Sequence, residues 1–294
     1  MFDLRYHVAS LAAVFLALLI GILVGVGLAD RGYVDKAQRG LLEQRISKLE
    51  SDLRAARQNA DSLQAQQRAT QAFVTDTYPS LMANRLRGKS LALVFLGPAD
   101  QHVRTGLEQA LTDAGANGWV RVRALKLPLD VAQVDKKLAG DPKLARYVGD
   151  ARLPTLGKSL AEELAGGGKA PLWTTLAEQI VAERAGSEQR PADGVIVVRT
   201  AGKQYDGTAS FLQGFYSGLI AAPVPVVGVE TANAAPSAMR AFQHNGISSV
   251  DNVDQPSGRF ALALLLSGAK AGQYGVKSSA KDGVLPPLET ATRG

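Results

Sequence analysis

The sequence predicts an α/β protein in which an N-terminal transmembrane helix leads into a coiled-coil helix and then into a parallel-sheet, Rossmann-like domain with a helical insertion. Three observations carry this prediction. Val8 to Ala29 (VASLAAVFLALLIGILVGVGLA) runs for 22 residues without a charge. Residues 36–76 are rich in Gln, Arg, Ala, Glu and Leu, contain no proline, and space their apolar side chains by threes and fours. Beyond Gly88, short runs of aliphatic residues alternate with helical stretches. The parts that follow are a membrane anchor at 1–29, a coiled coil at 30–80, an α/β domain at 81–275 and a flexible tail at 276–294.

As a helix, Val8–Ala29 reaches about 33 Å, enough to cross a hydrocarbon core of about 30 Å. Such a helix satisfies its own backbone hydrogen bonds in lipid, so one span is sufficient, and residues 8–29 are the expected contact with membrane lipid. A cleaved signal peptide is the competing reading, because Gly27-Leu28-Ala29 offers a small-x-small pattern before Asp30. The apolar run is longer than a signal peptide's core of about 7–15 residues, which favours a retained anchor. Gly21-x-x-x-Gly25 would let two such helices approach closely, although glycine is frequent in membrane helices in any case. Arg5 precedes the run, whereas Arg31, Lys36, Arg39, Arg45 and Lys48 follow it. Counted literally, these cations keep the C-terminal part in the cytoplasm, but long domains translocate despite such charge.

The next stretch carries a heptad seam. With Ile46 and Leu53 at a positions, Leu49 and Leu63 fall at d, and Leu42, Ala56 and Ala60 complete about four heptads. Leucine at d and small alanines favour two parallel strands over a lone solvated helix, so a homodimer is expected. Residues 36–76 would extend about 60 Å as one helix. Tyr78-Pro79 should end or interrupt it, since proline removes a backbone donor and crowds the preceding turn.

Leu91–Leu96 (LALVFL), Val195–Val198 (VIVV) and Val224–Val229 (VPVVGV) read as strands buried on both faces, and Val120–Leu125 alternates. Helices are expected at 100–114, 206–221, 235–244 and 259–267. Strands of this kind separated by helices indicate a parallel sheet covered on both sides. Residues 130–188 read as a helix-rich insertion with Gly166-Gly167-Gly168 as a flexible break, and the stretch from Lys270 onward is polar.

Composition narrows the function. A chain of 294 residues with 46% hydrophobic content can bury a sizeable core. The net charge of +6 is spread over scattered cations without interleaved aromatics, which argues against nucleic-acid binding. No cysteine is present, so disulfides, thiolate metal sites and cysteine nucleophiles are excluded. Gly97-Pro98-Ala99-Asp100 lacks the further glycines of a dinucleotide fingerprint, and GxxxxGK[ST], HExxH and GxSxG do not occur. An enzyme is therefore not expected, and no cofactor is indicated. Ligands of doubly wound sheets lie outside the carboxyl ends of the strands, which gathers Asp100, His102, Thr200, Lys203 and Glu230 as a candidate ligand or partner surface. The simpler reading is that Asp100 caps a helix while His102 and Lys203 are solvated. Asp251-Asn252-Val253-Asp254 with Arg259 offers too few placed oxygens for a hard cation, so an Arg259 salt bridge or a cap from Asp254 is expected there.

The opening Met1-Phe2-Asp3-Leu4-Arg5-Tyr6-His7 running into SLAAVFLALLIGILVG resembles the mycobacterial copper transport protein B (MctB) family. So do Pro225–Glu230, the stretch SVDNVDQPSGRFALALLL from Ser249 to Leu266, Gly272–Gly275 and Leu285-Pro286, in that order over the whole chain. The resemblance implies an actinobacterial-type envelope protein, its domain outside the cytoplasmic membrane, with a role in copper homeostasis described as that of an outer-membrane channel. Members of the family in related bacteria are linked to separation of daughter cells with a membrane partner. A non-catalytic scaffold docking an envelope protein is thus the alternative. Copper enters through the resemblance alone. Cu(I) prefers thiolate and thioether ligands, and the chain has only Met1, Met82 and Met239, with His7, His102 and His244 scattered. Repeated alternating strands of barrel type are also absent from the sequence.

Overall fold

Contacts divide the chain into two units, residues 1–71 and 72–294. A computed structural model describes residues 4–28, 31–187 and 189–288. Ala29, Met1 and the expected tail residues 289–294 lie outside the described residues.

The first unit is helical. Helix α1 (Leu4–Leu28) contains a 22-residue stretch, Tyr6–Gly27, of mean hydropathy 2.7, long and apolar enough to cross a membrane and not buried by the protein itself. Helix α2 (Arg31–Met82) is continuous for 52 residues and contains the residues of the expected seam. Leu42, Ile46, Leu49, Leu53 and Leu63 stand 49–67% exposed. The expected stop at Tyr78-Pro79 needs correction, because Pro79 lies inside the helix, which continues one turn to Met82. The Ala83 amide bonds the Pro79 carbonyl at 3.0 Å, and Met82 and Leu86 are fully buried, so tertiary packing outweighs the lost backbone donor.

The second unit builds a seven-stranded sheet from β1 (Leu91–Leu96), β2 (Trp119–Leu125), β3 (Val181–Gly186), β4 (Gly194–Arg199), β5 (Val226–Val229), β6 (Ser248–Val250) and β7 (Gln273–Tyr274). Its order is β3-β2-β1-β4-β5-β6-β7, parallel throughout except for antiparallel β3. The intervening helices are α3 (Gln101–Asp113), α4 (Val131–Ala139), α5 (Leu153–Gly166), α6 (Pro171–Thr175), α7 (Ala177–Ile180), α8 (Asp206–Ala221), α9 (Met239–His244) and α10 (Pro256–Ser267).

Both sheet faces are covered, as unbroken apolar strands require. Ala92, Val94 and Leu96 of β1 join one core with α4, α5, α8 and α9, whereas Leu91, Leu93 and Phe95 join the other with α3 and α10. Glycines bring α5 and α8 together: a Cβ at Gly157 would lie 2.1 Å from the Phe211 carbonyl oxygen, and one at Gly214 would lie 1.9 Å from that of Pro154.

Several elements differ from the sequence reading. The alternation in β2 does not mark a solvated face, because Arg121 and Arg123 are each only 1% exposed. Arg121 donates to the carbonyls of Glu163 and Leu164 at the end of α5 and to that of Arg190, supplying a cation where a helix leaves its last acceptors open. Arg123 donates to the Val122 and Ala185 carbonyls and lies 5.9 Å from the Trp173 ring centroid. The insertion at 130–188 contains the edge strand β3 as well as helices. Gly167, within the expected flexible break, is packed: a Cβ there would meet the Arg190 carbonyl at 2.4 Å. The short strands β6 and β7 were not anticipated.

Residues 276–288 were expected to be a flexible tail, but they are tied down. The Val276 and Lys277 amides donate to the Asp251 carboxylate at 2.8 and 3.1 Å. The Gln273 amide donates to Asp282 Oδ2 at 2.8 Å, and the Gln243 side-chain amide donates to the Ser279 carbonyl at 2.6 Å. Gly275 has φ +140°, and a Cβ there would sit 1.9 Å from Asp251 Oδ1, so the strap reaches this carboxylate only through glycine.

Candidate functional site

The carboxyl ends of β1, β4 and β5 lie along one edge of the sheet, and the strand order reverses between β1 and β4. This is where an open parallel sheet leaves a crevice. Here the backbone fills it. The Thr200 and Ala201 amides both donate to the Leu96 carbonyl, at 3.2 and 2.9 Å, and the Thr200 hydroxyl donates to the Pro98 carbonyl at 2.7 Å. Gly97, at φ +121°, permits the approach, since a Cβ there would lie 2.6 Å from Thr200 Oγ1.

The five sequence-selected residues therefore do different work. Asp100 caps α3, accepting from the His102 and Val103 amides at 2.9 and 3.1 Å. His102 is exposed on the first turn of that helix. Thr200 clasps the turn after β1. Lys203 is exposed, with its ammonium 5.3 Å from the Tyr205 ring centroid. Glu230 is 4% exposed and bonded inside the domain. Its Oε1 accepts from Ser237 Oγ at 2.7 Å and from Lys277 Nζ at 2.6 Å, and its Oε2 accepts from the Ala238 amide at 2.6 Å. Lys277 also donates to the Thr231 carbonyl at 2.9 Å.

The Asp251–Asp254 group also divides. Asp251 holds the strap, and Asp254 accepts from the Ala232 amide at 2.8 Å rather than capping α10. Arg259 reaches the Val253 and Asp254 carbonyls, not a carboxylate, among the described residues. An Arg259 salt bridge and an Asp254 helix cap are thus both corrected: the loop before α10 presents its carbonyls to the guanidinium, while the Asp254 side chain turns towards the loop after β5.

Beside this edge lies a cavity of about 280 Å³, lined among others by Arg199, Gly202, Lys203, Pro236, Ser237 and Arg240. Asp100, His102 and Glu230 do not line it. Arg199 is fixed by its Nε bond to the Ala201 carbonyl at 3.2 Å, its Nη2 bond to the Gly202 carbonyl at 2.9 Å and a 3.5 Å contact from Nη1 to the Tyr216 hydroxyl. Burial raises the pKa of the Tyr216 phenol, and the neighbouring Arg199 charge partly opposes that. Sequence reading missed Arg199, Arg240 and Lys277. Arg199 ends a buried strand and carries a signal in its position; Lys277 is 47 residues from its carboxylate, beyond any local pattern.

The two thioethers among the described residues are buried. Met82 is 0% exposed in the core that contains α3 and α10, and Met239 is 1% exposed in the core on the other face. His102 and His244 are exposed on separate helices. Among the described residues, no group of three or more His, Cys, Asp or Glu is placed to hold a metal ion.

No curated protein matches the chain. A family model described as "Copper transport outer membrane protein, MctB" matches residues 1–285. That span takes in the apolar helix, the long helix α2 and the whole sheet, and the chain belongs to the MctB copper transport protein family.

Proposed function

We propose that the chain is a single-pass, membrane-anchored envelope protein that serves copper transport as a structural member of an assembly rather than as the copper carrier. In this reading residues 8–29 cross the cytoplasmic membrane and α2 pairs in parallel with a second copy. The Rossmann-like domain stands outside that membrane as a contact module. The observation that carries the proposal is the placement of Met82 and Met239, the thioethers among the described residues, in two closed cores, where neither is open to Cu(I). The sheet supports it as well: its strands are covered by protein on both faces, whereas a membrane barrel turns alternate residues to lipid.

The test joins metal titration to physiology. The full chain in uncharged detergent, titrated with Cu(I) under reducing conditions against a competing chelator, should show no stoichiometric sub-micromolar uptake. Deleting the gene should change cellular copper content, and the intact chain should restore it. Tight uptake abolished by replacing His102 or His244 would overturn the structural role. The alternative, a non-catalytic scaffold in cell-wall remodelling or daughter-cell separation, rests on the backbone-filled crevice between β1 and β4. It would be favoured by a deletion strain that forms chains of cells with unchanged copper content.

A further inference from the structure

The cavity beside the carboxyl ends of β4 and β5 has an unbalanced charge. Arg199, Lys203 and Arg240 line it, and no acidic residue does. Among the described residues, none of the three makes a salt bridge. The nearby carboxylate of Glu230 lies behind Ser237 and Ala238 and is already committed to Lys277. Three like charges around one small space repel each other unless an anion joins them.

The guanidinium of Arg199 is also prepared for such a ligand. A guanidinium carries five N–H donors. Two of these reach backbone carbonyls and a third the Tyr216 hydroxyl, so the fork is held in place with two donors still to be used. A fork fixed before binding loses less conformational freedom when an oxyanion arrives. Lys203 and Arg240 are exposed and supply mobile charge at the rim. The cavity lies at the carboxyl ends of the strands, the end of a parallel sheet at which ligands bind, one strand away from the filled β1–β4 crevice. At about 280 Å³ the space suits a compact anionic group, or the charged head of a longer molecule.

We propose that Arg199, Lys203 and Arg240 form a binding site for a phosphate-bearing anion. Three cations, one a planar fork, match a group with several charged oxygens better than a single carboxylate. The site is independent of the copper assignment, because its ligand contains no metal. The phosphate has two sources, a soluble molecule or a lipid headgroup.

The test uses the full chain in uncharged detergent. One arm titrates inorganic pyrophosphate by calorimetry, and the other titrates short-chain phosphatidylglycerol against phosphatidylcholine. Lys203→Gln with Arg240→Gln removes two exposed cations and leaves the clasped Arg199 in place. Lys143→Gln is the control for general charge. Saturable binding is expected in at least one arm, weakened at least about tenfold in the double variant and unchanged in the control. Pyrophosphate binding identifies a soluble source, and preference for phosphatidylglycerol alone identifies a headgroup. No saturable binding in either arm, or equal binding by the wild-type chain and a double variant with an unchanged unfolding transition, overturns the proposal.

Discussion

Lys277→Met tests whether the C-terminal strap is part of the folded domain. The Glu230 side chain is 4% exposed and that of Lys277 20% exposed, and their charges meet at 2.6 Å. Breaking a buried ion pair from one side costs about 3–5 kcal/mol, most of it from the charge left behind. Here Glu230 keeps Ser237 Oγ and the Ala238 amide, and Lys277 is partly solvated, so about 2–3 kcal/mol is expected. For a unit of this size that corresponds to a fall in Tm of roughly 5–10 °C. Trp119 and Trp173, the chain's two tryptophans, both lie in residues 72–294, so their fluorescence during urea or thermal unfolding reports that unit alone. Adding Glu230→Gln to Lys277→Met removes the stranded charge while keeping hydrogen-bonding capacity, and should restore most of the loss. A single variant within about 0.5 kcal/mol of the wild type, or a double variant as unstable as the single, would refute the view that this pair holds the strap.

Leu49→Asp with Leu53→Asp should convert the full chain in detergent from a dimer to a monomer in sedimentation, with the tryptophan unfolding transition unchanged; a wild-type monomer at high micromolar concentration would rule the seam out. Gly214→Ala should destabilise the domain by about 3 kcal/mol or more, because its Cβ would lie 1.9 Å from the Pro154 carbonyl oxygen, and an unchanged urea midpoint would mean that α5 and α8 separate easily. Alkaline pH should destabilise the fold through Tyr216 and Tyr78. Burial raises both pKa values, with Asp113 adding to the rise at Tyr78. Their stabilising contribution is therefore complete below the unfolded value of about 10 and is lost as pH rises through the folded values. Phe at both positions should flatten the loss between about pH 9 and 11, and parallel losses in both proteins would remove these phenols as its source.

The central strands were legible because their chemistry is local. Leu91–Leu96 cannot face water on either side, so a covered parallel strand is the available solution. Asp100 was likewise readable as a cap, since it acts on amides two and three residues away. What could not be read depends on distant partners. The alternation of Val120, Arg121, Val122 and Arg123 has the pattern of a half-exposed strand, and acceptors over 40 residues on, the carbonyls of Glu163, Leu164 and Arg190 among them, make burial of Arg121 affordable. The polar composition of 276–288 resembles a loose end, yet Asp251 needs donors and the strap supplies them. Pro79 reads as a helix stop, but burial of Met82 extends α2 past it. In each case a polar or conformational cost visible in the sequence is offset by a contact that the sequence does not announce.

The same separation bears on copper. Met82 and Met239 are the thioethers within the described residues, and they belong to cores on opposite faces of the sheet. With the strands between them, one ion cannot be shared by both sulfurs while the domain stays folded. Exposing either would also forfeit its burial, worth about 1.5–3 kcal/mol for a side chain of this size, together with the packing around it. An imidazole pair from one chain is no better placed, since His102 begins α3 and His244 ends α9, and those helices pack into opposite cores. Within its sheet domain the protein therefore does not bring these two thioethers or these two imidazoles together on one ion. Its own domain contributes a polar edge, closed at the β1–β4 crevice by Thr200 and at β5 by Glu230 and Lys277, with three cations beside it that no carboxylate among the described residues pairs.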